Sequence, residues 1–145
     1  GSRYPRPNYW YGGGIAAFER ALAACPETVF LGHGPGFWAH ISDDELYLTE
    51  SYPKGPVVPE GILVRMMATH PNLWCDLSAG SALNALSRDL EYTRGFLTRF
   101  ADRITFARDC FDGRMAAHLN SLELPDDVRE AIFHGNAERL VSDLS

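Results

Sequence analysis

The spacing of apolar residues changes period several times along this chain, and each change marks an element. Ile15, Phe18 and Leu22 recur at helical spacing over residues 14–24, with Glu19 and Arg20 on the opposite face, and Pro26 stops the run. Residues 28–32 are short, apolar and rich in β-branched and aromatic side chains, which predicts a strand. Ile62, Leu63, Met66 and Met67 make the buried stripe of a helix over about 60–70, closed by Pro71. Residues 73–77 predict a second strand and 104–107 a third, separated by a helical region that breaks near Ser87-Arg88-Asp89. Residues 111–122 read as mostly helical. Pro125, with Asp126 and Asp127 behind it, suits the first turn of a helix reaching His134. Gly135 is expected to end that helix and Asn136 to cap a last one over 137–143.

Two stretches carry no period. Residues 3–13, dense in proline, glycine and aromatics, read as loop, and Gly1-Ser2 reads as a tag scar. Residues 34–59 read as a long loop on the active-site side with an acidic patch, Asp43-Asp44-Glu45. So long a loop inside a small domain is usually functional or disordered. The alternation of helices and strands implies an α/β fold with a parallel sheet of about three strands, as one unit over 1–145. With no initiator methionine and no strand before the proline-rich start, the chain reads as part of something longer.

Charge narrows the function. A net charge of −6 with scattered basic residues gives no reason to expect nucleic acid or an anionic membrane as partner. No apolar run approaches the ~18 residues of a membrane span. Cys25, Cys75 and Cys110 form no C-x-x-C pair, which fits a reducing, cytoplasmic setting. Gly12-Gly13-Gly14 follows no predicted strand, so a phosphate-binding glycine loop is disfavoured.

Chemistry-bearing residues cluster where strands end, the usual place for ligands in parallel sheets. The first strand runs into His33 and the third into Arg108-Asp109. His33 and Asp109 are candidate metal ligands, with Asp109 the candidate catalytic base. The plainer roles are a histidine bonded to a loop carbonyl and a cap for the helix starting near Phe111. Arg108, Trp38 and His40 are candidate substrate-binding residues, although His40 also suits an exposed loop. Asp76 is open between supporting a site residue and being a satisfied structural carboxylate.

Four stretches resemble a known family: Phe30-Leu-Gly-His33-Gly-Pro-Gly36, Pro71-Asn-Leu-Trp-Cys-Asp-Leu-Ser78, Arg103-Ile-Thr-Phe-Ala-Arg-Asp109 and Gly135-Asn-Ala-Glu-Arg-Leu140. Together they are similar to the closing part of the amidohydrolase-related family, metal-dependent (β/α)8 TIM barrels. The resemblance implies a partial barrel holding the sixth to eighth strands. It also implies a small-molecule substrate and a divalent ion, zinc or else manganese, bound by His33 and Asp109. Hydrolysis is the implied reaction, with metal-dependent decarboxylation or a non-enzymatic assembly module as alternatives. The family's His-x-His pair and its fifth-strand histidine have no counterpart here, and two ligands fall short of the usual three. The remaining part of the barrel, or a second copy of the chain, is therefore the expected partner. Ala107 and Arg108 stand where the family carries glycine and a small hydroxyl residue.

Overall fold

Three parallel strands, Phe30–Gly32 (β3), Leu73–Asp76 (β4) and Ile104–Thr105 (β5), pair in that order, each preceded in the chain by a helix. In the computed structural model, residues 14–142 are described, with the backbone of residues 2–3 and 10–11. Helix α1 (Gly14–Ala24) leads into β3 (Phe30–Gly32), and α3 (Ile62–Thr69) into β4 (Leu73–Asp76). Helices α4 (Gly80–Leu86) and α5 (Leu90–Arg99) lead into β5 (Ile104–Thr105). The break between them falls at Asp89, whose carboxylate accepts the Tyr92 N–H as a helix cap. In central β4, Leu73 and Cys75 are wholly inaccessible, as is Leu77 just beyond it. They pack with Leu63, Met66, Met67, Leu86 and Leu97 in one core. No helix among the described residues is long and apolar enough to cross a membrane.

The structure departs from the sequence reading in four places. The 3–13 stretch is not all loop: β1 (Ser2–Arg3) pairs antiparallel with β2 (Trp10–Tyr11), while residues 4–9 and 12–13 lie outside the described residues. The 34–59 segment is not loop throughout: it opens with α2 (Pro35–Trp38) and a 3-10 turn at Ala39–Ile41 and carries another at Leu46–Leu48, while residues 49–59 hold no regular element. Strand β5 stops at Thr105 because the Phe106 N–H donates to Ile132 O instead. Finally, α6 (Arg114–Ser121) is followed by α7 (Asp126–Glu130), which Gly135 does not end. One π-helical turn, Ala131–Gly135, carries it into α8 (Asn136–Ser142). An ideal α-helix would rotate Asn136 about 80° away from the line of Val128, eight residues earlier. The wider turn reduces that drift. Asn136 is consequently buried rather than a cap.

Each turn entering a strand is braced by one side chain. Asn72 Nδ2 reaches the carbonyls of Leu22, Cys25 and Thr28, ahead of β3. Arg103 Nη1 donates to His70 O and Leu73 O, ahead of β4. Asn136 Nδ2 donates to Ala101 O and Ile104 O at 2.6 and 2.7 Å, ahead of β5. Such carbonyls lose their helical partners as the chain changes direction, and leaving them bare when buried is costly.

The 42–58 segment is clasped by a partly buried ion pair. Arg88 donates to the Asp44 carboxylate, to Gly55 O and to Pro56 O. Ser42 Oγ donates to Asp44 and accepts the Val58 N–H, and Asp44 also accepts the Leu46 N–H. Burial by itself would raise the Asp44 carboxyl. The Arg88, Leu46 and Ser42 hydrogen bonds, with the Arg88 charge, outweigh it and hold the group below its ordinary range. His40, buried and stacked on Tyr47 at 4.3 Å, is lowered chiefly by desolvation.

Two predictions follow from these contacts. Asn136→Ala should cost about 2–4 kcal/mol in denaturant unfolding, since two buried carbonyls lose their donor; a loss within experimental error would show the brace to be idle. In acid, the unfolded chain takes up protons before the folded one at both His40 and Asp44. Stability should therefore fall below about pH 6.5 through His40, and again below about pH 3.8 through Asp44. Urea midpoints measured against pH should lose the second step in Asp44→Asn and the first in His40→Phe.

Candidate active site

The parallel register decides where the polar groups meet. Gly32 pairs with Cys75, so the next residue of each chain segment, His33 and Asp76, arrive level at the strand ends. His33 Nδ1 lies 2.8 Å from Asp76 Oδ2. The Ser78 hydroxyl donates to the same Oδ2 at 2.7 Å, and the Ser78 N–H donates to Oδ1 at 2.9 Å, closing a local turn of the Asx kind. Ser78 Oγ is also 3.2 Å from His33 Nδ1. On the other side, Ser78 O accepts the Asp109 N–H at 3.3 Å. Ser78 thus links His33, the residue after β3, to the backbone of Asp109, four residues past the end of β5. From within the core, the Trp38 indole N–H donates to Asp76 O at 3.2 Å.

His33 is 43% exposed and lines an open cavity of about 500 Å³ together with Ile15, Phe18, Leu31 and Phe37. Its Nε2 has no hydrogen-bond partner among the described residues. Gly32 is required beneath it, because a Cβ there would fall 2.2–2.5 Å from atoms of the Phe37 ring. Gly34, at φ +82°, then turns the chain straight into α2. Arg108 faces a second, small recess of about 40 Å³ that it shares with Ser78, Ala107 and Cys110. Its guanidinium lies 5.6 Å from the ring centre of Phe111, which is fully exposed. Asp109 is exposed and lines neither hollow.

Of the residues singled out from sequence, His33 and Asp109 flank Ser78, with Arg108 beside them. Trp38 and His40 lie elsewhere. Trp38 has no accessible surface and its one polar atom is engaged, so it supports Asp76 from below instead of meeting a ligand. His40 is buried against Tyr47, and its Nδ1 has no partner among the described residues. Asp109 does not cap a helix; Asp112 accepts the Arg114 N–H at the start of α6. Asp76 and Ser78 are the residues that sequence reasoning undervalued, although both stand in the 71–78 motif. Ser78 is not arranged as a nucleophile. A histidine base needs the hydroxyl on the ring edge opposite its carboxylate, whereas here both sit at Nδ1.

A family model described as amidohydrolase matches residues 13–142. The chain belongs to the amidohydrolase family. No curated protein and no solved structure matches the chain significantly. Amidohydrolases of this superfamily generally use divalent metals, and His33 fits such an ion well: one ring nitrogen is held by a carboxylate while the other is left open. Among the described residues no group of three His, Cys, Asp or Glu side chains converges to hold an ion.

Gly32→Ala should destabilise the chain by about 1–3 kcal/mol through overpacking against Phe37. Thermal melting combined with the His33 ring resonances would detect it. An unshifted melting temperature with unchanged His33 signals would mean that Phe37 yields freely.

Proposed function

We propose that this chain provides the sixth to eighth strands of a (β/α)8 barrel in a metal-dependent hydrolase acting on a small molecule. The observation that carries the reading is the buttressed imidazole of His33, with Nδ1 on Asp76 and Nε2 open beside the cavity. A divalent ion, zinc in preference to manganese, would be held in part by His33 Nε2 and the Asp109 carboxylate, and would lower the pKa of a bound water toward ~7. The Asp109 carboxylate would accept a proton from that water, and its exposure leaves room for the exchange. If the ion is held by the other donors instead, the same Nε2 of His33 would orient its water or the substrate. Arg108, whose contact is a ring face and not a carboxylate, is available to pair with an anionic group of the substrate. That availability favours decarboxylation of a small carboxylate as the second reading. The remaining donors would come from the rest of the barrel or from a second copy. The three free cysteines suit a cytoplasmic setting.

The chain alone, supplied with zinc or manganese, should hold less than one tightly bound ion and turn over no small amide, lactone or aromatic carboxylate. Stoichiometric tight metal with turnover would overturn the partial-set reading. In a barrel completed by its other strands, His33→Asn and Asp109→Asn should each lower kcat by about 10²–10⁴. Arg108→Ala should act mainly on KM. Full activity in either of the first two variants would remove that residue from the chemistry.

A further inference from the structure

We infer that Asp76 and Ser78 are positioning residues that fix which nitrogen of His33 carries its proton. The inference rests on the reading of His33 as the site's imidazole, but its geometry stands on contacts within this chain. A carboxylate can only accept, so Asp76 Oδ2, 2.8 Å from Nδ1, requires a proton on Nδ1 and leaves the Nε2 lone pair to the cavity. The carboxylate is itself held in plane by two donors from Ser78, the hydroxyl on Oδ2 and the N–H on Oδ1. A third support is the Trp38 N–H on the Asp76 carbonyl, which prevents the strand end from rolling.

Ser78 has a share that Asp76 lacks. Its hydroxyl proton is committed to Oδ2 while its oxygen lies 3.2 Å from Nδ1, so it meets the Nδ1–H of His33 as a second acceptor. Its own carbonyl takes the Asp109 N–H. One serine therefore adjusts the proton position on the imidazole and holds the neighbouring strand end in place. Neither role needs Ser78 to touch a substrate.

The test needs neither metal nor substrate, so its outcome is separate from that of the hydrolase reading. In the purified chain with ¹⁵N-labelled histidine, long-range proton–nitrogen correlation spectra above neutral pH report the tautomer of each ring. Wild-type His33 should be Nδ1–H. Asp76→Ala should move the tautomer ratio toward Nε2–H on the order of tenfold or more. Ser78→Ala should move it part of the way, and Ser78→Thr, which restores the hydroxyl, should bring it back. Should Asp76→Ala not fold, Ser78→Ala and its threonine rescue still decide the matter. A wild-type ring found as Nε2–H, or a ratio indifferent to Ser78, would overturn the inference.

Discussion

The arrangement depends on how the chain enters its strands. Three side chains, Asn72, Arg103 and Asn136, each gather the loose carbonyls of a helix-to-strand turn, and each comes from a later part of the chain than the turn it serves. Strands of two to four residues have few ladder bonds with which to set register. Fixing their starts fixes their ends, and a one-residue slip would send every side chain to the other face. The meeting of His33 with Asp76 is thus settled at the opposite end of the sheet.

The motifs divide along this axis. In the 71–78 stretch, Asn72 braces a strand entry while Asp76 and Ser78 build the polar site at the exit. In the 103–109 stretch, Arg103 works at the entry and Asp109 stands at the exit. Leu73, Cys75 and Ile104 between them face the core. Each motif is then a strand with a structural residue at one end and a chemical one at the other, as expected for parallel α/β sheets.

Helical and strand periods made most elements legible, and Asp89 and Pro26 punctuate where the structure breaks. Legibility failed where one residue serves two masters. Gly135 and Asn136 carry ordinary stop-and-cap chemistry, yet the need to deliver an amide to Ala101 and Ile104 overrides it. Trp38 and His40 follow His33 closely in sequence, but the positive φ of Gly34 turns them into the core. His33 is legible because the end of its strand is visible in sequence, whereas β5 stops four residues short of Asp109, since the Phe106 N–H leaves the ladder for Ile132 O. Asp76 was ambiguous because its importance comes from register, a property of two strands and not of one.

The single π-turn before α8 makes the tail of the chain unusually sensitive to length. It sets the angular phase of everything after Gly135, including the Arg139 guanidinium that lies 5.0 Å from the Trp74 ring centre and bonds Asp102 O. An insertion of one residue there would leave helix propensity intact while swinging both Asn136 and Arg139 off the sheet, whereas a deletion would let the turn relax to an ordinary α-turn with nearly the same phase. Solvent-facing side chains of the 135–140 stretch carry no such constraint; its spacing does.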